Sequence, residues 1–335
     1  MRRQSFELRP AARTPITRVM SLVFIGAGIA IALFTLAVLA QENRSPDGTE
    51  NASTTASHDA SQATDTSQAT DSSAGRTLSF PELELADDEA VTAHFATRDE
   101  AATATVDHAS WGALLDRLLR VADDDLNRFD YAAMNDDDRA ALDTYLAALA
   151  DTPVSTLGPD EQMAFWFNLY NALTVKVVIE HWPVDSIREI DPDGSGGPWK
   201  APLVTVESLS LSLDQIENRI LRPIWDDPRI HYGVNCASLS CPELLPAPLT
   251  ASTLDEQLDA AARVYVNSPW GVDFGDDGSL TLSSIYDWYQ VDFGGDLPGV
   301  GAHLEQWAEP ELAKRLGAFS GTPGFDYDWK INAPL

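Results

Sequence analysis

Residues 229–242 read R-I-H-Y-G-V-N-C-A-S-L-S-C-P and hold both cysteines of the chain, Cys236 and Cys241, with His231 just before them. Three chemistries suit these side chains. In the first, Cys236 or Cys241 attacks an amide or ester and His231 takes its proton as general base, because the thiolate is the nucleophile and an adjacent base supplies it. An extended chain carries His231 about 16 Å from Cys236, so this reading requires the loop to fold back over the strand. In the second, Cys236 and Cys241 close a disulfide, worth about 2 kcal/mol for so small a loop, which fixes the segment beside His231. In the third, His231, both thiols and an acid hold a metal. The C-x4-C spacing is loose for zinc, and neither a metal nor a cofactor is expected. Ser238 and Ser240 lack the flanking glycines of a nucleophile elbow.

Several elements must place these residues. Ile230, Tyr232 and Val234 alternate with His231, Gly233 and Asn235, which predicts a buried strand with His231 and Asn235 on one side. Residues 159–181 predict a helix buried on nearly every face, with Pro159 at its first position and Pro183 just past its end. Asn168 and Asn171 lie three apart on that helix, so they share a face. Buried amides need partners. They either tie the helix to another segment's backbone or, with Asn235 and Ser238, form the polar wall of a pocket around His231 and the cysteines.

Further helices are expected over 107–123 and 136–150. Capping boxes at Ser212–Gln215 and Thr253–Glu256 open two more. Short strands are predicted at 203–206 and 209–211, and a hairpin about Gly275-Asp276-Asp277-Gly278. Residues 302–307 and 311–316 read as helical, and 325–331 as a closing strand. The class is α+β: one mainly helical domain over 79–335, around a central buried helix with a small sheet of short strands and hairpins.

The stretches Ala164-Phe165-Trp166-Phe167-Asn168-Leu169-Tyr170-Asn171-Ala172-Leu173, Leu213-Asp214-Gln215-Ile216-Glu217, residues 229–242, and Tyr286-Asp287-Trp288-Tyr289 with Asp292-Phe293 occur in order. Together they resemble the family called domain of unknown function 547, over about residues 111–332. The resemblance implies a mostly bacterial, commonly exported domain with no established activity. It departs at Asn218, where the family pattern often has histidine, which argues against a metal site built on that histidine. The plant branch of the family keeps the residue matching His231 but not both cysteines.

The acidic balance of 52 Asp and Glu against 22 Lys and Arg makes nucleic acid a poor partner. Residues 1–18 form a basic leader with five arginines, and residues 19–40 are an uncharged apolar run long enough to span a bilayer. That run is either an uncleaved anchor or a signal peptide cut after Ala40. Residues 41–78, rich in Ser, Thr and Asp, read as a disordered tether. The location implied is the inner membrane with the domain in the periplasm, or soluble periplasm after cleavage. The expected activity is that of a hydrolase or acyl transferase. The alternative is a non-catalytic envelope module that binds a protein or glycan through exposed Trp199, Trp270 and Trp288, and the ligand class stays open between small molecule, protein and glycan.

Overall fold

A computed structural model describes residues 84–194 and 196–334. The element order is α1 (Asp88–Phe95), α2 (Ala109–Leu118), a hairpin of β1 (Leu119–Val121) and β2 (Asn127–Phe129), α3 (Asp136–Ala150) and α4 (Pro159–His181). Next come a second hairpin of β3 (Val204–Val206) and β4 (Leu209–Leu211), then α5 (Leu213–Gln215), which runs through a π-helical stretch (Ile216–Leu221) into α6 (Arg222–Trp225). After α7 (Ile230–Gly233) and α8 (Leu254–Val266), β5 (Val272–Phe274) and β6 (Leu280–Ser283) form a third hairpin, followed by α9 (Ile285–Trp288), α10 (Leu297–Trp307), α11 (Pro310–Ala318) and β7 (Gly324–Asp326). β5 and β6 pair antiparallel and β7 joins β6 in parallel. The class is α+β, as expected.

The core has two adjoining parts. One surrounds α4, where Phe165, Trp166, Phe167 and Leu169 are fully buried; each such side chain contributes about 1.5–3 kcal/mol. The other packs α8 and α10 over the three-stranded sheet through Tyr265, Tyr286, Phe293 and Leu304. α4 begins with Pro159 in its first turn beside Asp160 and Glu161, as the sequence implies. The Ser212 capping box forms, with Gln215 returning its side chain to the Ser212 backbone. The second box does not: Thr253 instead donates its hydroxyl to Gln257 at 2.9 Å.

The strand expected over 229–235 is a single helical turn, α7. Alternation misleads there because both sets are buried: His231, Gly233 and Asn235 are as enclosed as Ile230, Tyr232 and Val234. Its backbone is satisfied within the turn, Val234 N–H bonding to Ile230 O at 3.3 Å. Gly233 lies flat against α4, where a Cβ would meet the Phe167 ring at 2.6 Å.

The expected transmembrane segment and inner-membrane location require correction. No helix among the described residues is long and apolar enough to cross a membrane. The longest, α4, carries Asp160, Glu161, Lys176 and Glu180, and its apolar surface is covered by protein. The leader, the apolar run at 19–40 and the tether lie outside the described residues.

Replacing Gly233 by Ala is expected to lower stability by about 1–3 kcal/mol, read as a reduced urea midpoint, because the Phe167 ring must move. An unchanged midpoint would show that α7 is not pressed against α4.

Candidate active site

The four ordered stretches named above meet at one cavity of about 270 Å³ on the seam between the two core parts. α4 supplies Tyr170, the α5 region supplies Asp214, Glu217 and Asn218, and α7 with the following loop supplies His231, Cys236 and Cys241. Trp288 and Tyr289 come from α9 and the residue after it. Trp199, Tyr327 and Trp329 complete an aromatic mouth.

After α7 the chain over 234–242 is irregular and mostly buried, so its backbone groups need partners from elsewhere. Two amides of α4 provide them. Asn171 donates to Gly233 O at 2.9 Å and accepts from Asn235 N–H at 2.8 Å. Asn168 does the same one turn earlier, donating to Leu249 O at 2.8 Å and accepting from Leu249 N–H at 3.1 Å. Asn235 in turn donates to Pro242 O at 2.7 Å and accepts from Ala237 N–H at 3.0 Å. That last bond holds Ala237 at φ +62°, a left-handed conformation costly for a residue with a Cβ. The expected polar pocket wall of Asn168, Asn171, Asn235 and Ser238 is therefore corrected. None of the four lines the cavity; they shape the loop that does.

Cys236 and Cys241 are free thiols rather than the expected disulfide. The Cys241 sulfur is turned into the backbone, accepting from Cys236 N–H at 2.9 Å and lying 3.8 Å from Val234 O. The Cys236 sulfur meets the hydroxyls of Ser238 and Tyr327, each at 3.1 Å. Ser238 donates to the Tyr327 oxygen at 2.9 Å, which leaves the Tyr327 proton for the sulfur. Burial opposes a charged thiolate here. The contacts from Cys241, Ser238 and Tyr327 outweigh it and bring Cys236 down to about 7. Burial and the neighbouring Cys236 hold Cys241 well above the ordinary thiol range. One thiol is thus prepared to ionise and the other is not.

His231 lines the same cavity, yet its nitrogens turn to carboxylates. Nε2 bonds Asp292 at 2.7 Å, and Nδ1 lies 3.9 Å from Glu217. Burial would raise the Asp292 carboxyl, but hydrogen bonds from His231 and Arg222 pull it down to about 2. Arg222 reaches Asp292 at 2.6 Å and Asn218 at 2.6 Å, and Asn218 donates onward to Asp214 at 3.0 Å. Tyr289 packs its ring on His231 at 4.2 Å and receives Arg222 at 4.7 Å. Glu217 accepts the Tyr170 hydroxyl at 3.0 Å. Sequence reasoning missed Glu217, Asp292, Tyr327 and Trp329. The first two stood inside quoted stretches, where a carboxylate amid apolar residues is the signal. Tyr327 and Trp329 carried none, since a chain-end segment crosses to the site only in three dimensions.

The remaining candidates lie elsewhere. Ser240 accepts from Asp328 N–H at 2.7 Å. Trp270 donates to Asp124 at 2.8 Å and does not line the cavity, whereas Trp199 and Trp288 do.

The thiolate absorbance of the folded protein is expected to rise with a midpoint near pH 7. Tyr327→Phe is expected to raise that midpoint by about one unit or more, because a hydrogen bond to a charged sulfur is lost. An unmoved midpoint would remove Tyr327 as the donor.

Residues 154–266 match the family described as Protein of unknown function, DUF547. This match is shorter than the stretch over which the four motifs resemble the family, and it does not distinguish an exported branch. No curated protein and no solved structure matches the chain. The matched residues supply Tyr170, Asp214, Glu217, His231 and both cysteines, while Trp288, Tyr289, Asp292, Tyr327 and Trp329 follow the match. The chain therefore carries a DUF547 domain, and the cavity is built by that domain together with the segment that follows it.

Proposed function

We propose that the domain is a thiol-dependent acyl-transfer enzyme, a hydrolase or transferase acting on an amide or ester. The observation that carries the reading is the Cys236 sulfur, set in the cavity wall between the Ser238 and Tyr327 hydroxyls at 3.1 Å and sharing the cavity with His231 and Glu217.

The Cys236 thiolate attacks the substrate carbonyl, and its electron pair forms the S–C bond while the carbonyl pair moves to oxygen. The carbonyl re-forms, the bond to the leaving nitrogen or oxygen breaks, and His231 gives the departing group a proton. Water or an acceptor alcohol or amine then attacks the thioester, returning a proton to His231 and releasing the thiolate. This revises the expected role of His231. The sulfur meets Ser238 and Tyr327 rather than His231; Asp292 takes Nε2 of the ring, while Nδ1, 3.9 Å from Glu217 and beyond hydrogen-bond distance, is left to exchange a proton with the substrate. Its proton traffic is with the substrate, and Asp292 with Arg222 fixes its ring. The Tyr327 hydroxyl, with the contacts from Cys241 and Ser238, takes over the activation of the thiol.

The test is intact-mass analysis of the full chain after exposure to a panel of activated esters and thioesters. An acyl adduct mapping to Cys236 is expected, absent from Cys236→Ser. His231→Asn is expected to slow turnover roughly 10²–10⁴-fold, the usual contribution of a positioned acid–base group. Equal product release by Cys236→Ser would overturn the proposal.

A further inference from the structure

We infer that this cavity takes an organic cation, so that the acyl-transfer substrate carries an ammonium group beside its reacting carbonyl. That the ligand is a substrate rests on the acyl-transfer reading; that it is a cation rests on the walls of the cavity. Among the described residues no Lys or Arg lines the cavity, whereas Asp214, Glu217 and the Cys236 thiol do. Glu217 is only 7% exposed, and its ion-pair neighbour among the described residues, His231, stands off at 3.9 Å. Arg222 also acts on Glu217 through space, but its guanidinium is engaged with Asp292 and Asn218, so this buried carboxylate has no close ion pair and favours a ligand that brings positive charge.

The mouth points the same way. Trp199, Trp288, Tyr327 and Trp329 form a continuous set of rings: Trp288 stacks on Trp329 at 5.5 Å, Tyr327 lies 4.6 Å from Trp329, and Trp199 meets Trp329 edge-on at 5.8 Å. Ring faces are electron-rich and attract cations, most strongly for tryptophan. The fold already uses this attraction nearby, with the Arg188 guanidinium 5.2 Å over Trp329 and Arg222 4.7 Å over Tyr289. Trp288, 47% exposed, presents its surface to an incoming ligand. An anionic substrate meets two carboxylates and a thiolate here. A quaternary or primary ammonium meets rings, then Glu217, with Cys236 in the same cavity.

Calorimetry on the full chain with choline, its uncharged tert-butyl analogue and inorganic phosphate tests this. Choline is expected to bind at least about tenfold more tightly than the neutral analogue, with no binding of phosphate. Glu217→Gln is expected to erase most of that preference. Trp288→Leu, at a half-exposed position that does not threaten folding, is expected to reduce it several-fold. Equal affinity for the charged and neutral probes, binding of neither, or a preference for phosphate would overturn the inference. The alkylation rate of Cys236 by iodoacetamide in the same samples separates the two ideas. Fast alkylation without cation preference overturns only the cation inference, whereas cation preference with an inert thiol overturns only the acyl-transfer reading.

Discussion

The site depends on the hydrogen bonds between the Asn171 amide and the backbone of Gly233 and Asn235. The segment that carries His231 and both cysteines has one helical turn, α7, and then runs over 234–242 through a mostly buried path with no regular structure to pair its backbone. Unpaired, each such group costs about 1–3 kcal/mol. A primary amide offers one donor and one acceptor side by side, which is what a peptide group needs. α4 presents two, Asn171 and Asn168, one turn apart, and thereby fastens the segment at Gly233–Asn235 and again at Leu249. Between these fixed points the loop turns sharply at Ala237 and brings Cys236 into the cavity that His231 also lines.

Electrostatics in the cavity are a contest between burial and hydrogen bonding, and the outcome differs from group to group. For Cys236 the donors win and the thiol is lowered; for Cys241, burial and the neighbouring Cys236 sulfur outweigh the backbone N–H that it accepts, and the thiol stays high. A second network runs from Asp214 through Asn218 and Arg222 to Asp292 and His231. Asn218, the residue that departs from the family pattern, has a plain role in this chain. Its oxygen accepts from Arg222 and its nitrogen donates to Asp214, a bridging job suited to an amide. The guanidinium it steadies holds Asp292 charged, and Asp292 sets the direction of the His231 ring.

Much of this was legible from the residues. The enclosed helix α4, its proline start, the Ser212 capping box, the hairpin about Gly275–Gly278 and the α+β class follow from local chemistry and periodicity, which act over short stretches of chain. Buried amides at Asn168 and Asn171 imply either backbone ties or pocket walls, and the structure makes them ties. The turn at α7 was not legible, because period-two alternation signals a strand only where one face is buried and the other is not. Nor were Tyr327 and Trp329. Their place beside Cys236 arises from the path of the chain after β7, where Leu239 and Ser240 donate to the backbone of Lys330 and Asp328. The free state of the two cysteines was likewise hidden, since spacing permits a bridge but does not reveal that the Cys241 sulfur is already engaged by a peptide N–H.

The central claim is that the two thiols differ: Cys236 is ionisable and open to the cavity, and Cys241 is protonated and enclosed. Peptide mapping after brief iodoacetamide treatment of the folded chain near neutral pH tests it most directly. The account predicts label on Cys236 alone, with Cys241 modified only after unfolding. Equal labelling of the two, or none on Cys236 in a fully reduced sample, would contradict it.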